Sequence, residues 1–140
     1  METVKVRDCM TTQPAIVTAD MSIISALRII LDKKHSAAVV TDENGKLIGL
    51  LSEADCIEGT FGRGIYEQDG MFVSDRMSTD IETISSESSV ISSVDRFLKN
   101  HRRLLPVVEG QRLVGILTRE NLLRALLHEI DNPTQHARRP

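Results

Sequence analysis

Gly49-Leu-Leu-Ser-Glu-Ala-Asp-Cys56 returns later in the same chain as Gly115-Ile-Leu-Thr-Arg-Glu-Asn-Leu122. Each copy is a glycine, two apolar residues, a hydroxyl residue and, three positions on, Asp or its amide. A hydroxyl followed at that spacing by Asp or Asn is the pattern of a helix start: the hydroxyl caps backbone N–H groups and the later side chain pairs back. The stretch therefore reads as a strand end running straight into a helix. Working outward, Val6-x-Asp8-x-Met10 falls on Val73-x-Asp75-x-Met77, and Thr18 on Ser85. Ile23, Leu27, Ile30 and Leu31 fall on Val90, Val94, Phe97 and Leu98. The turn Glu109-Gly-Gln-Arg112 is one residue shorter than Asp42-Glu-Asn-Gly-Lys46, which is where loop length should vary. Beyond it Lys46-Leu-Ile-Gly49 meets Arg112-Leu-Val-Gly115. The chain is an internal duplication.

Each copy parses the same way. Ala15–Thr18 and Glu82–Ser85 are short extended pieces. Ser22–Lys33 and Ser89–Lys99 carry apolar residues at helical spacing, with Ser22 and Ser88 or Ser89 available as caps. Ala37–Thr41 and Leu104–Val108 are apolar runs with β-branched residues, and turns lead from them into Leu47–Leu51 and Leu113–Leu117. The last helix is Thr118–Ile130, and its counterpart ends near Glu58. The expected fold is α+β, two tandem β-α-β-β-α repeats packed about a pseudo-twofold axis. The expected division is a first repeat at 1–58, a linker at 59–72, a second repeat at 73–130 and a flexible polar tail at 131–140. A unit of about sixty residues has too little core to stand comfortably alone, so each copy serves as the other's partner.

The 140 residues are 41% hydrophobic and 26% charged, the composition of an ordinary globular domain. A net charge of −3 speaks against a nucleic-acid partner, although Arg102, Arg103 and the Arg138-Arg139 tail would be the residues of such a binder. The start METVKVRDCM has no apolar core of a signal peptide, and Ile23–Leu31 is too short and too charged to cross a bilayer. Cys9 and Cys56 lack metal or CxxC spacing and read as reduced thiols. His35, His101, His128 and His136 sit in no catalytic or metal motif, and Gly59-Thr-Phe-Gly-Arg-Gly64 lacks the spacing of a phosphate loop. The reading is a non-enzyme without metal or cofactor.

The two V-x-D-x-M segments, the two apolar-V-V-[DE] runs and the two G-h-h-[ST]-x-x-[DN] stretches together resemble a CBS-domain pair, or Bateman module. The resemblance covers Val4 to Ile130 and, with no enzyme or transporter sequence attached, is to a stand-alone cytoplasmic pair. It implies an adenosine-containing ligand held in clefts between repeats, homodimerisation, and an unidentified effector protein that reads the dimer. The ligand class spans AMP, ADP, ATP, NAD and S-adenosylmethionine. Residue by residue, it implies that Asp55, beside Ser52, accepts ribose hydroxyls, and that Arg102 and Arg103 reach the phosphates from the opposite repeat, with Arg119 a further phosphate candidate. Thr118 and Asn121 occupy the matching ribose position, and His35 and Ser36 the matching phosphate position. The base would lie near Ala15, Ile16 and Val39 in one cleft and near Glu82, Thr83 and Pro106 in the other, and Thr18 is a further ligand-binding candidate. Asn121 has no charge and one acceptor oxygen, so the two clefts are expected to be unequal. The competing function is a ligand-free dimerisation scaffold.

Overall fold

The computed structural model describes residues 4–61 and 71–133. In chain order the elements are α1 (Val6–Cys9), β1 (Ile16–Val17), α2 (Ile23–Lys33), β2 (Ala37–Thr41), β3 (Leu47–Ser52), α3 (Glu53–Phe61) and α4 (Val73–Arg76). The second half continues with β4 (Ile84–Ser85), a 3-10 turn (Val90–Ser93), α5 (Val94–Leu98), β5 (Leu104–Glu109), β6 (Arg112–Thr118) and α6 (Arg119–Asp131). They form two tandem repeats, each with a three-stranded mixed sheet and its helices. Two compact units result. The first-copy unit holds the described residues of 13–82 with 111–113, and the second-copy unit those of 1–12, 83–110 and 114–140.

In the first-copy unit the sheet order is β1-β2-β3. β1 runs parallel to β2, pairing Ile16 with Val39, and β2 runs antiparallel to β3, pairing Ala37 with Ser52 and Val40 with Gly49. α2 presents Ile23, Ala26 and Ile30 to a core that also contains Val17, Val40 and Leu51. Ser22 caps the helix by accepting the Ser25 N–H at 3.1 Å. Lys34 ends it in the left-handed region at φ 59°, its N–H reaching the carbonyls of Ile30 and Leu31. α3 runs on to Phe61, three residues beyond its expected end near Glu58. Of the expected linker, 62–70 lie outside the described residues, as do 134–140 of the expected tail.

The second-copy unit repeats the order as β4-β5-β6, with β4 parallel to β5 through Ile84 and Val107. His101, the counterpart of Lys34, is again left-handed at φ 55°. One element differs from its counterpart. Where a continuous helix over Ser89–Lys99 was expected, Val90–Ser93 forms a 3-10 turn and only Val94–Leu98 is α-helical. Ser92 Oγ donates to the Ser89 carbonyl at 2.7 Å and Ser93 Oγ to the Val90 carbonyl at 2.6 Å. These serine hydroxyls bond back onto the preceding turn, and such local bonds compete with a regular helix.

The V-x-D-x-M segments prove to be the short helices α1 and α4, which periodicity could not reveal over four residues. Val6 and Val73 are fully buried. Asp8 accepts the Lys5 N–H at 3.1 Å and Asp75 the Phe72 N–H at 2.8 Å, so each aspartate closes the first turn of its helix. α1 docks in the second-copy unit, where Val6 N–H donates to Ser88 O at 2.8 Å and Arg7 N–H to Ser86 O at 3.0 Å. α4 docks in the first-copy unit by the matching bonds, Val73 N–H to Met21 O and Ser74 N–H to Ala19 O, both 2.9 Å. The repeats of the sequence and the units in space are therefore different divisions of the chain. Each unit is completed by the leading segment of the other copy.

Candidate functional site

The twin G-h-h-[ST]-x-x-[DN] stretches form twin capping boxes at the strand-to-helix junctions. Ser52 N–H donates to Asp55 Oδ2 at 2.8 Å, and Asp55 N–H returns to Ser52 Oγ at 3.0 Å. In the other copy Thr118 N–H donates to Asn121 Oδ1 at 2.9 Å, and Asn121 N–H to Thr118 Oγ1 at 3.1 Å. The helix-start reading of both motifs is thus what the backbone uses. The boxes differ in what they leave over. Asp55 is half-buried, and its second carboxylate oxygen makes no hydrogen bond among the described residues. Asn121 turns its remaining polar atom, Nδ2, to Thr11 Oγ1 at 3.3 Å, and the Thr11 hydroxyl also reaches Asn121 Oδ1 at 3.4 Å.

In the first-copy unit the strands bring Ala15, Ile16 and Val39 together: Val39 N–H donates to Ala15 O at 2.9 Å and Ile16 pairs with Val39 across the sheet. Ala15 and Val39 are buried, whereas Ile16 keeps 46% of its surface exposed. Thr18 is exposed and spends its hydroxyl on Asp20 Oδ1 at 2.7 Å. Glu82 closes this unit and Thr83 opens the next; both are half-buried, and Pro106 is buried within β5. The half-buried Arg96 donates to the Thr83 carbonyl.

The basic corner lies between α5 and β5, directly after the left-handed His101. Arg102 is half-buried and Arg103 exposed. Arg119 is bound to the corner itself: its Nε donates to the Arg102 carbonyl at 3.1 Å and an NH2 group to the Phe97 carbonyl at 3.5 Å. Its guanidinium fastens the start of α6 to the loop that carries the other two arginines. His35 and Ser36 occupy the matching place in the first-copy unit and are half-buried.

Sequence reasoning passed over Thr11 and Arg96. Thr11 had a signal, because it falls on Ser78 and so keeps a hydroxyl at a repeated position. Neither thiol is poised for nucleophilic chemistry. Burial first, then Asp55 and Glu53, pushes Cys56 up to about 11. Burial and Asp8 raise Cys9. A thiol that stays protonated is a poor nucleophile. Among the described residues no group of His, Cys, Asp and Glu could hold a metal ion, and no helix is long and apolar enough to cross a membrane.

Comparison with known proteins adds two kinds of finding. The profile of the CBS domain matches residues 6–60 and again 73–128. The structure of CBSX2 in complex with AMP is 30% identical, with a TM-score of 0.81, covering 92% of this chain and 99% of that one; CBSX2 comes from Arabidopsis thaliana. The CBS domain-containing protein YhcV of Bacillus subtilis is 32% identical over 80% of this chain and 78% of its own. A zinc metalloprotease of Methanocaldococcus jannaschii is 34% identical over 88% of this chain, which spans only 32% of that protein.

Proposed function

The chain belongs to the CBS-domain family, carrying the domain twice, and from that premise we propose that it is a regulatory module sensing an adenosine nucleotide of the AMP, ADP or ATP type. The observation that carries this reading is Asp55: its cap occupies one carboxylate oxygen and leaves the other for a ligand hydroxyl. An ionised acceptor forms the stronger hydrogen bonds, about 1.5–3 kcal/mol against about 1 for a neutral pair. Arg103 and Arg102 are assigned to the phosphates, Arg119 holds their loop, and Ala15, Ile16 and Val39 offer the base an aliphatic surface. CBSX2, similar to this chain over nearly its whole length, supports the nucleotide class through its AMP complex. The chain acts as a sensor and not as a catalyst, in the cytoplasm, where its two free thiols stay reduced.

Signalling is assigned to a homodimer whose geometry an effector protein reads. Support comes from α6, which leaves Leu123, Leu127 and Ile130 exposed at 62%, 58% and 72%. Such an apolar face marks an interaction surface. A nucleotide shifts the dimer only as far as it binds two geometries unequally. The same leucines favour a second reading, a scaffold that dimerises without ligand.

Melting curves and calorimetry with AMP, ADP, ATP, NAD and S-adenosylmethionine separate the two. A ligand at a hundred times its dissociation constant adds about 2.7 kcal/mol of stability. Silence from every adenine compound at millimolar concentration rejects the sensor, and light scattering that finds a monomer at tens of micromolar rejects both readings.

A further inference from the structure

We propose that Thr11 and Asn121 form a latch that fastens the N-terminal arm, residues 4–12, to α6, and that the arm thereby competes with any ligand for the Asn121 amide. The orientation of the amide follows from the cap. Thr118 N–H needs an acceptor, so Asn121 Oδ1 faces it at 2.9 Å and Nδ2 is left facing Thr11 Oγ1 at 3.3 Å. The backbone holds Thr11 in place. Its N–H donates to Ile116 O at 2.8 Å and its carbonyl accepts from Ile116 N–H at 2.9 Å. The other copy has the same backbone bridge between Ser78 and Leu50, at 2.8 and 2.9 Å, but Ser78 makes no side-chain bond to Asp55 among the described residues. The latch thus exists in one copy only, the copy that carries the amide.

Val6 is fully buried in the second-copy core and backbone bonds to Ser86 and Ser88 dock the arm, but along α6 itself the packing is looser. A cavity of about 540 Å³ opens along their seam, lined by Val4, Asp8 and Cys9 of the arm and by Ala125, His128 and Glu129 of α6. An incompletely packed seam forfeits dispersion contacts, which leaves polar ties a larger share of the docking. Thr11 takes one of the two Nδ2 hydrogens and the cap takes one lone pair of Oδ1, so a ligand that reaches Asn121 competes with the arm for the amide. The proposal rests on the nucleotide-sensor reading only in treating Asn121 as a ligand position.

Cys9 sits on the arm, half-buried, and reports its release. In the full-length protein, labelling of Cys9 by a thiol reagent is measured with Cys56 replaced by Ala. Thr11→Val should speed labelling about two- to ten-fold, the range that corresponds to one net hydrogen bond when undocking limits the reaction. Thr11→Ser, which keeps the hydroxyl, should restore the slow rate. In an Asn121→Ala background Thr11→Val should add nothing, because the two side chains act as one pair. An unchanged rate in Thr11→Val, or fully additive effects, overturns the latch. So does a loss of AMP affinity in Asn121→Ala as large as that in Asp55→Ala. If AMP does not bind at all, the sensor reading falls, while the labelling rates still decide the latch.

Discussion

A Cβ placed on Gly115 would lie 2.9 Å from the sulfur of Met10 and 2.6 Å from the carbonyl oxygen of Thr11, so this glycine is where the leading segment lies against β6. In the other copy a Cβ on Gly49 would meet Met77 Sδ at 2.8 Å and Ser78 O at 3.2 Å. The methionine of V-x-D-x-M and the glycine of G-h-h-[ST] are thus the two halves of one contact, made across copies of the sequence. Gly115→Ala must displace backbone, whereas Gly49→Ala can be relieved mainly by a flexible methionine. Overpacking of this kind costs about 1–3 kcal/mol. Thermal melts should show Gly115→Ala lower by several degrees and Gly49→Ala affected less; equal melting points would contradict the asymmetry.

Asp55 closes the cap at Ser52 and is proposed to accept a ribose hydroxyl, and substitution can separate the two. Asn121 demonstrates that an amide serves the cap, at 2.9 Å against 2.8 Å for the carboxylate. Asp55→Asn should therefore keep the stability of the fold while weakening AMP binding several-fold or more. Asp55→Ala should lose both, about 1 kcal/mol of it from the cap. Denaturant titration paired with calorimetry reads the two effects independently, and an Asp55→Asn protein with full affinity would remove the ribose role.

The basic corner makes the opposite separation. Arg103 is exposed, and its replacement by Ala should change stability by no more than about 0.5 kcal/mol. AMP affinity should fall, and the loss relative to wild type should shrink at high salt. Arg119→Ala removes the donors to the Arg102 and Phe97 carbonyls and should destabilise by about 1 kcal/mol as well as weakening binding. A salt-independent effect at Arg103 would argue against a phosphate partner.

Cys56 predicts a pH dependence. Its native thiol is pushed from 9.0 up to about 11, so between those values the unfolded chain releases a proton that the folded chain retains. Stability then falls as pH rises through that window, because the folded state binds more protons there. Cys56→Ala should flatten this part of the stability profile. Native Cys56 should also resist iodoacetamide at pH 8 and react once the chain is unfolded; rapid native labelling would contradict its burial.

What the sequence determined by itself was carried by the repeat and by local capping patterns. The duplication shows when the chain is laid on itself, and the strand-to-helix junctions at Ser52 and Thr118 and the cap of α2 at Ser22 follow from residues within a few positions of one another. The Asn at 121 already announced that the copies differ. The tertiary structure decided what depends on residues far apart. Nothing near Val6 says that it docks beside Ser86 and Ser88 instead of in its own copy, and nothing near Asn121 says that Thr11 occupies its amide. Nothing near Arg119 says that its guanidinium donates to the carbonyls of Arg102 and Phe97. Over Val90–Ser93 helical spacing was present, yet serine hydroxyls bonding back to Ser89 and Val90 accompany a tighter turn. Periodicity reports which face of an element is apolar. Which partner satisfies its polar groups is settled only when the chain has closed on itself, because that choice is made by contacts and not by spacing.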